Sequence, residues 1–266
     1  MEHKMTKIIA GLGFALGLSS VQVQATPIFD SGIPTGWDCT GSCGTAAANG
    51  VVSLAPDGGA RYGWVSTNNG QSGVALEGVG GAGSAANGSV LRSNLFSASA
   101  AEILKFSFNF VTSDGAGYAD YAWARLLDGS SNLVALLFTA RTAPSGSIVP
   151  GFSMPTPTVT LDPTDVPIIA GGPDWSPLGS DSGQCFSGGC GYTGWINTSF
   201  ALANSGNYQL EFGVTNWSDN SYQTGMAIDG ITIGGRVITD PTTVSAPATF
   251  ALFGLGFAGL MLRRRK

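Results

Sequence analysis

The sequence predicts an all-β protein: an antiparallel two-sheet β-sandwich of the jelly-roll kind, followed by a short hydrophobic C-terminal helix. Three observations lead there. Apolar and polar residues alternate in segment after segment with the period of two that marks half-buried antiparallel strands. Glycine supplies 40 of the 266 residues, which favours turns and short strands over helices. Between residues 26 and 243 no segment combines a helical period with caps.

Read from the N-terminus, residues 1–25 form a signal peptide. Lys4 and Lys7 are its basic region, Ile8 to Leu18 its short apolar run, and Val23-Gln24-Ala25 the small-x-small pattern that a signal peptidase accepts. No cysteine follows the apolar run closely, which speaks against a lipid anchor. The domain at 26–243 then holds about nine or ten short strands punctuated by turns. In "ILKFSFNFV" (103–111), Leu104, Phe106, Phe108 and Phe110 share one face. In "NYQLEFGVTNW" (207–217), Tyr208, Leu210, Phe212 and Val214 do the same. "YAWARLLD" (121–128) and "NLVALLFTAR" (132–141) flank "GSS" and read as a hairpin. Further candidates are "VVSLA" (51–55), "RYGWVS" (61–66), "SVLRSNLF" (89–96), "GWINTSFAL" (194–202) and "GMAIDGITIGG" (225–235).

Two stretches lack this alternation. "GVGGAGSAANGS" (78–89) reads as a flexible connector. Residues 142–184 hold eight of the thirteen prolines and read as a long ordered loop, of a length that is often functional. Two G-x-G-x-x-G strings, at 78–83 and 254–259, have no strand before and no acidic residue in place after them, so no nucleotide is implied.

Charge and cysteine content narrow the function. Residues 26–243 carry six basic and sixteen acidic side chains, a net charge of −10. Such a surface repels nucleic acid backbones and suits cations such as calcium. The four cysteines lie in two close pairs, "CTGSC" and "CFSGGC". Local bridges Cys39–Cys43 and Cys185–Cys190, made in an oxidising compartment, are the simplest of three pairings, and cross-pairing stays open. A zinc site fits poorly, for want of tighter spacing or histidine partners. The single histidine, His3, lies in the signal peptide, so serine-histidine and cysteine-histidine catalysis are excluded for the mature chain.

Two constellations are left as candidate sites. In "TSDGAGYADYAW" (112–123), Asp114 and Asp120 fall on one Gly-rich loop, an oxygen-rich setting that suits calcium. Asp229, in "MAIDGITI", shares a strand face with Ile231 and Ile233 and is expected to point inward as a third ligand. The second constellation is aromatic. Trp175, Trp217 and Tyr222 lie in Gly/Asn/Ser-rich segments, where rings stack on sugars and neighbouring amides and carboxylates bond the hydroxyls. These rings favour a non-catalytic sugar-binding protein. The alternatives are a carboxylate-dependent glycoside hydrolase or polysaccharide lyase, using Asp114 with Asp120 or Glu211 with a neighbour, and a purely structural or adhesive protein.

The chain closes on "VSAPATFALFGLGFAGLMLRRRK" (244–266). As a helix, residues 248–262 rise about 22 Å, short of the roughly 30 Å hydrocarbon core. The stretch halts briefly in the inner membrane rather than anchoring there, with its basic end on the cytoplasmic side. A short Pro-containing motif, a Leu/Gly/Phe-rich helix and a terminal Arg cluster together resemble the PEP-CTERM sorting signal of Gram-negative bacteria. Here Val244 and Pro247 bound the motif, Val-Ser-Ala-Pro in place of the usual Val-Pro-Glu-Pro, and Arg263, Arg264 and Arg265 form the cluster. The resemblance implies recognition by an exosortase, release to the cell surface or medium, and a biofilm or exopolysaccharide setting, so the expected function is a non-catalytic surface or matrix protein that contacts exopolysaccharide.

Overall fold

The computed structural model describes residues 27–143 and 145–238. The signal peptide and the sorting tail, with its helix at 248–262, lie outside the described residues. In chain order the first strands are β1 (Asp38–Thr40), β2 (Ser42–Ala46), β3 (Tyr62–Ser66), β4 (Gln71–Ser72), β5 (Ala85–Arg92), β6 (Phe96–Ala98), β7 (Ile103–Thr112) and β8 (Tyr121–Asp128). There follow β9 (Leu133–Arg141), β10 (Thr160–Asp162), β11 (Ile169–Ala170), β12 (Gly191–Tyr192), β13 (Ile196–Ala201), β14 (Gly206–Trp217), β15 (Thr224–Ile233) and β16 (Arg236–Val237). A 3-10 turn spans Ser176–Asp181.

These strands form two antiparallel sheets. The first has the order β1-β5-β14-β8-β9, with β4 beside β5 and β6 beside β14. The second has the order β10-β13-β7-β15-β3-β2, with β12 on the far part of β7, β11 on β12, and β16 on β15. The chain crosses repeatedly between them, from β7 to β8, from β13 to β14 and again from β14 to β15. Phe106, Phe108, Phe138 and Phe212 meet at the centre, with the rings of Phe108 and Phe138 stacked 3.7 Å apart. The inward faces are those the alternation predicts, because each phenyl sits two residues from the next and therefore on the same side of the pleat.

Both sheets are also buried on part of their outer faces. On the first sheet Tyr121, Trp123, Leu136 and Trp217 form a second apolar cluster, covered by Val74, Leu76, Val79 and Met154. Gly213 lies opposite Trp123 across the β14–β8 ladder, and a side chain there would run into the indole ring. On the second sheet Tyr62, Val111 and Ala227 are covered by Trp175 and Leu178 at the 3-10 turn. Gly225 makes room for this cover, since a Cβ there would come within 2.6 Å of the Trp175 ring. The sheets, the core and both covers all lie within 27–238, so this span carries its own core.

The long Pro-rich segment therefore differs from expectation. It is not one loop but contributes β10, β11 and the 3-10 turn, and it covers both outer faces through Met154, Trp175 and Leu178. The connector at 78–89 also differs, because its second half is the start of β5. "VVSLA" forms only an isolated bridge, between Asn49 and Val52.

Two buried charges hold the first sheet. Glu211 of β14 is 1% exposed and accepts hydrogen bonds from Arg92 Nε (2.8 Å), Arg125 Nε (2.5 Å) and Nη2 (3.1 Å), and Trp123 Nε1 (3.1 Å). Arg141 lies against the rings of Phe152 and Trp217, at 4.6 and 4.7 Å, and donates to the carbonyls of Ala119 and Gly80. That guanidinium ties the two covering segments of the first sheet to its edge.

Candidate functional site

One end of the sandwich gathers three connections: 113–120 between β7 and β8, 218–223 between β14 and β15, and 182–190 before β12. Backbone bonds join them, from Ser113 N to Gln223 O, from Phe186 N to Ser113 O and from Ala116 N to Gly188 O. A bridge between Cys185 and Cys190 closes the third connection, with Phe186 inside the ring it forms. The other bridge, Cys39–Cys43, joins β1 to β2 and so ties one sheet to the other.

Beneath these loops lies a directional chain of hydroxyls. Asp114 N donates to Thr112 Oγ1 at 3.1 Å, Thr112 and Thr224 share a bond of 2.7 Å, and Thr224 Oγ1 donates to Asp120 Oδ2 at 2.6 Å. While Asp120 is ionised, the one hydroxyl proton of Thr224 is directed at it, and Thr112 then donates in the pair between the threonines. Asp120 is wholly buried and takes its second bond from Trp217 N at 2.7 Å. Burial pushes its carboxyl well above the usual carboxylate range, and the Asp114 charge adds to this. Asp114 is pushed up to about 7, first by burial and then by Asp219 and Asp181, against the pull of its bond from Gly115 N.

Above the carboxylates is an aromatic group that meets solvent. Phe186 is 38% exposed, with Tyr118 at 5.5 Å in an edge-on arrangement and Tyr222 at 4.9 Å, tilted by 37°. Asp219 caps the turn at Ser221 N, and Asp181 accepts from Gln223 N. The patch thus joins three rings to carboxylates held in place by their own backbone contacts.

The sequence-predicted residues divide. Tyr222 belongs to this end, while Trp175 and Trp217 do not offer a face to ligand. Trp175 is 0% exposed and donates to the Tyr62 hydroxyl at 2.9 Å, and Trp217 is 6% exposed and donates to Ala82 O at 2.6 Å. Trp175 covers one apolar sheet face and Trp217 is part of the other, and this burial outweighs the polar composition of the surrounding sequence. Tyr118 and Phe186 were missed; Phe186 lies between two cysteines and just before two glycines, and its only sequence signal is an apolar ring in a short Gly/Ser loop.

Asp114 and Asp120 come together, but Asp229 does not join them. It lies opposite Ser107, five positions along β7 from Thr112. Nor does it share a face with Ile231 and Ile233. A bulge between Asp229 and Thr232, with Gly230 at φ 66°, inserts one residue and reverses the sidedness. Asp229 is therefore turned outward beneath the 57–59 turn, where Gly59 N and Gly230 N donate to it. Burial raises its pKa also, with Asp30 adding to the effect.

The chain's two described ends meet at the far end of the sandwich. Pro27, Gly235 and Val237 line one cavity there, of about 170 Å³. The ten residues of β15 separate that end from the aromatic patch by about 33 Å. Among the described residues, no helix is long and apolar enough to cross a membrane.

Comparison with known families places a PEP-CTERM protein-sorting motif at residues 243–266. The chain is thus an exported protein that reaches the cell surface or the medium after processing, and the motif implies an exosortase as the processing partner. No curated protein matches the chain. Among solved structures it is similar to a cleaved adhesin domain of Lys-gingipain from Porphyromonas gingivalis (12% identity, 79% of this chain and 98% of that one, TM-score 0.35). It is also similar to the enzymatically active domain of bacteriophage CBA120 tailspike protein 4 (10% identity, TM-score 0.32), covering 75% of this chain but only 19% of the tailspike chain. A third is the alginate lyase from Corynebacterium sp. (14% identity, 73% of this chain and 76% of that one, TM-score 0.26). At these scores the likenesses carry no inference about activity.

Proposed function

We propose that this is a non-catalytic surface protein that holds matrix polysaccharide at the loop end of a jelly-roll sandwich. The observation that carries this reading is the solvent-facing group of Tyr118, Phe186 and Tyr222, set beside the half-buried Asp181 and Asp219 at the end opposite Val237. Ring faces stack on the apolar faces of sugars, and tyrosine hydroxyls and carboxylates bond their hydroxyl groups. A protein held at the surface through the chain beyond Val237 presents this end outward. The repeated crossing of the chain between sheets supports the jelly-roll arrangement.

Of the carboxylates named for a hydrolase, Asp114 is 1% exposed, and Glu211 and Asp120 are engaged elsewhere. Both oxygens of Glu211 are held by Arg92, Arg125 and Trp123, and Asp120 is sealed from solvent. Neither can approach a glycosidic bond, which supports binding over cleavage. The test incubates residues 26–243 with exopolysaccharide from the source organism, scoring co-sedimentation and release of reducing or unsaturated sugar ends. Sedimentation without new ends is expected. New ends in proportion to protein would establish an enzyme instead.

A further inference from the structure

The outer face of the second sheet is only half covered. Where β7 runs through Asn109 and Val111, the apolar cluster around Trp175 seals it. Where β7 runs through Lys105 and Ser107, the face is open and forms a groove of about 280 Å³. Strand register explains what lies on its floor. Asp162, Asn197 and Ser107 stand side by side on β10, β13 and β7, and two residues along, Thr160, Ser199 and Lys105 do the same. Residues two apart share a face, so these six form two polar rungs across three strands, each strand about 4.8 Å from the next. Asp57 and Gly230 close one side.

We infer that this groove is a second glycan site, built for a hydroxyl-rich sugar unit without acidic groups. Ser107 donates to Asn197 Oδ1 at 2.7 Å, which fixes the amide and leaves its NH₂ group facing outward as a donor. Among the described residues, no hydrogen bond holds the side chains of Asp57, Lys105, Thr160, Asp162 or Ser199. The floor therefore offers an ammonium, an amide and two hydroxyls as donors, and carboxylates and hydroxyls as acceptors. Each sugar hydroxyl is both donor and acceptor and finds a partner on either rung. Two carboxylates against one ammonium leave the groove negative, so uronic acids and sulfated sugars are repelled. The volume lies just below the range of about 300–1,000 Å³ usual for drug-sized ligands, which fits a single sugar ring of a longer chain.

This site deepens the matrix-binding reading and lies on a different face from the aromatic end. Its test follows backbone amide resonances of residues 26–243 during titration with cellohexaose, maltohexaose, mannohexaose and, as the acidic probe, hexagalacturonate. Shifts at 105–107, 160–162 and 197–199 with at least one neutral hexasaccharide are expected, with none at these residues from hexagalacturonate. Ser199→Trp, which fills the groove, and Lys105→Ala, which leaves it open but removes the ammonium, are each expected to weaken that binding at least tenfold. Their melting temperatures serve as the check on folding. Phe186→Ser is expected to leave these groove shifts intact, so failure of the aromatic end and failure of the groove read out separately. The inference is overturned if no neutral probe shifts the groove, if hexagalacturonate binds there, or if a folded Ser199→Trp variant binds like the wild type.

Discussion

Replacing Glu211 by Gln removes one negative charge and little volume from the outer face of β14. Burial by itself raises this carboxyl, but hydrogen bonds from Arg125 and Trp123, the Arg125 charge and a bond from Arg92 outweigh it and hold the pKa below the usual range. Charge-assisted bonds contribute about 1.5–3 kcal/mol each. The Arg92 side chain is 40% exposed and Arg125 25%, so solvent screening reduces their shares, Arg92's towards the roughly 0–1 kcal/mol of a surface pair. The loss is about 3 kcal/mol, or roughly 6–12 °C in melting temperature for a domain of this size. The pH dependence has a definite sign. A folded pKa below the unfolded value of about 4.3 gives stability that is present above that value and lost as pH falls through the folded one. Protonated Glu211 then resembles Gln, and the two proteins converge. Thermal unfolding by circular dichroism, from neutral pH into the acid range, measures this. A gap below about 1 kcal/mol at neutral pH, or one that persists unchanged in acid, would refute the reasoning.

Asp114→Asn should stabilise the domain, because burial penalises the Asp114 charge. With a folded pKa of about 7, wild-type stability is intact at low pH and falls as pH rises to that value; the variant's advantage should be absent near pH 3 and complete near pH 8. An advantage at pH 3 as large as at pH 8 contradicts this. Trp175→Phe should cost about 1–3 kcal/mol through the lost bond to Tyr62 and the smaller ring, yet leave polysaccharide sedimentation unchanged. Lost sedimentation in the folded variant would mean that the indole meets ligand after all. Asp114→Asn and Asp229→Asn should be additive within about 0.5 kcal/mol, since the two residues are set apart along the sheet. A coupling above about 1 kcal/mol that EDTA abolishes would point instead to a shared calcium ion.

The sheets were legible because their faces alternate. "YAWARLLD" is β8 residue for residue, and the Phe-rich 103–111 and the 207–217 segment became β7 and β14 with at most one residue added at an end. β1 and β2 escaped notice because disulfide and turn residues fill them, and β10 to β12 because they are two or three residues long. The β5 start at Ala85–Gly88 carries no apolar pattern either; it is set by its neighbours, since a Cβ at Gly88 would strike the backbone of Val214. Site residues were harder to read for a related reason. Whether a tryptophan faces solvent depends on which loop covers which sheet, and the burial of Trp175 and Trp217 is a tertiary fact. The outward turn of Asp229 depends on a one-residue bulge that the strand pattern conceals. The sorting tail is read by composition and order along the chain, so it was recognisable from sequence alone.

The most direct test of the central claim compares residues 26–243 with the Phe186→Ser/Tyr222→Ser double variant for co-sedimentation with the organism's own exopolysaccharide. The account predicts that the wild type sediments with the polymer, and that the variant, equally folded by melting temperature, loses at least tenfold in binding. Equal sedimentation of the two would contradict it and remove the aromatic end from any role in holding the matrix.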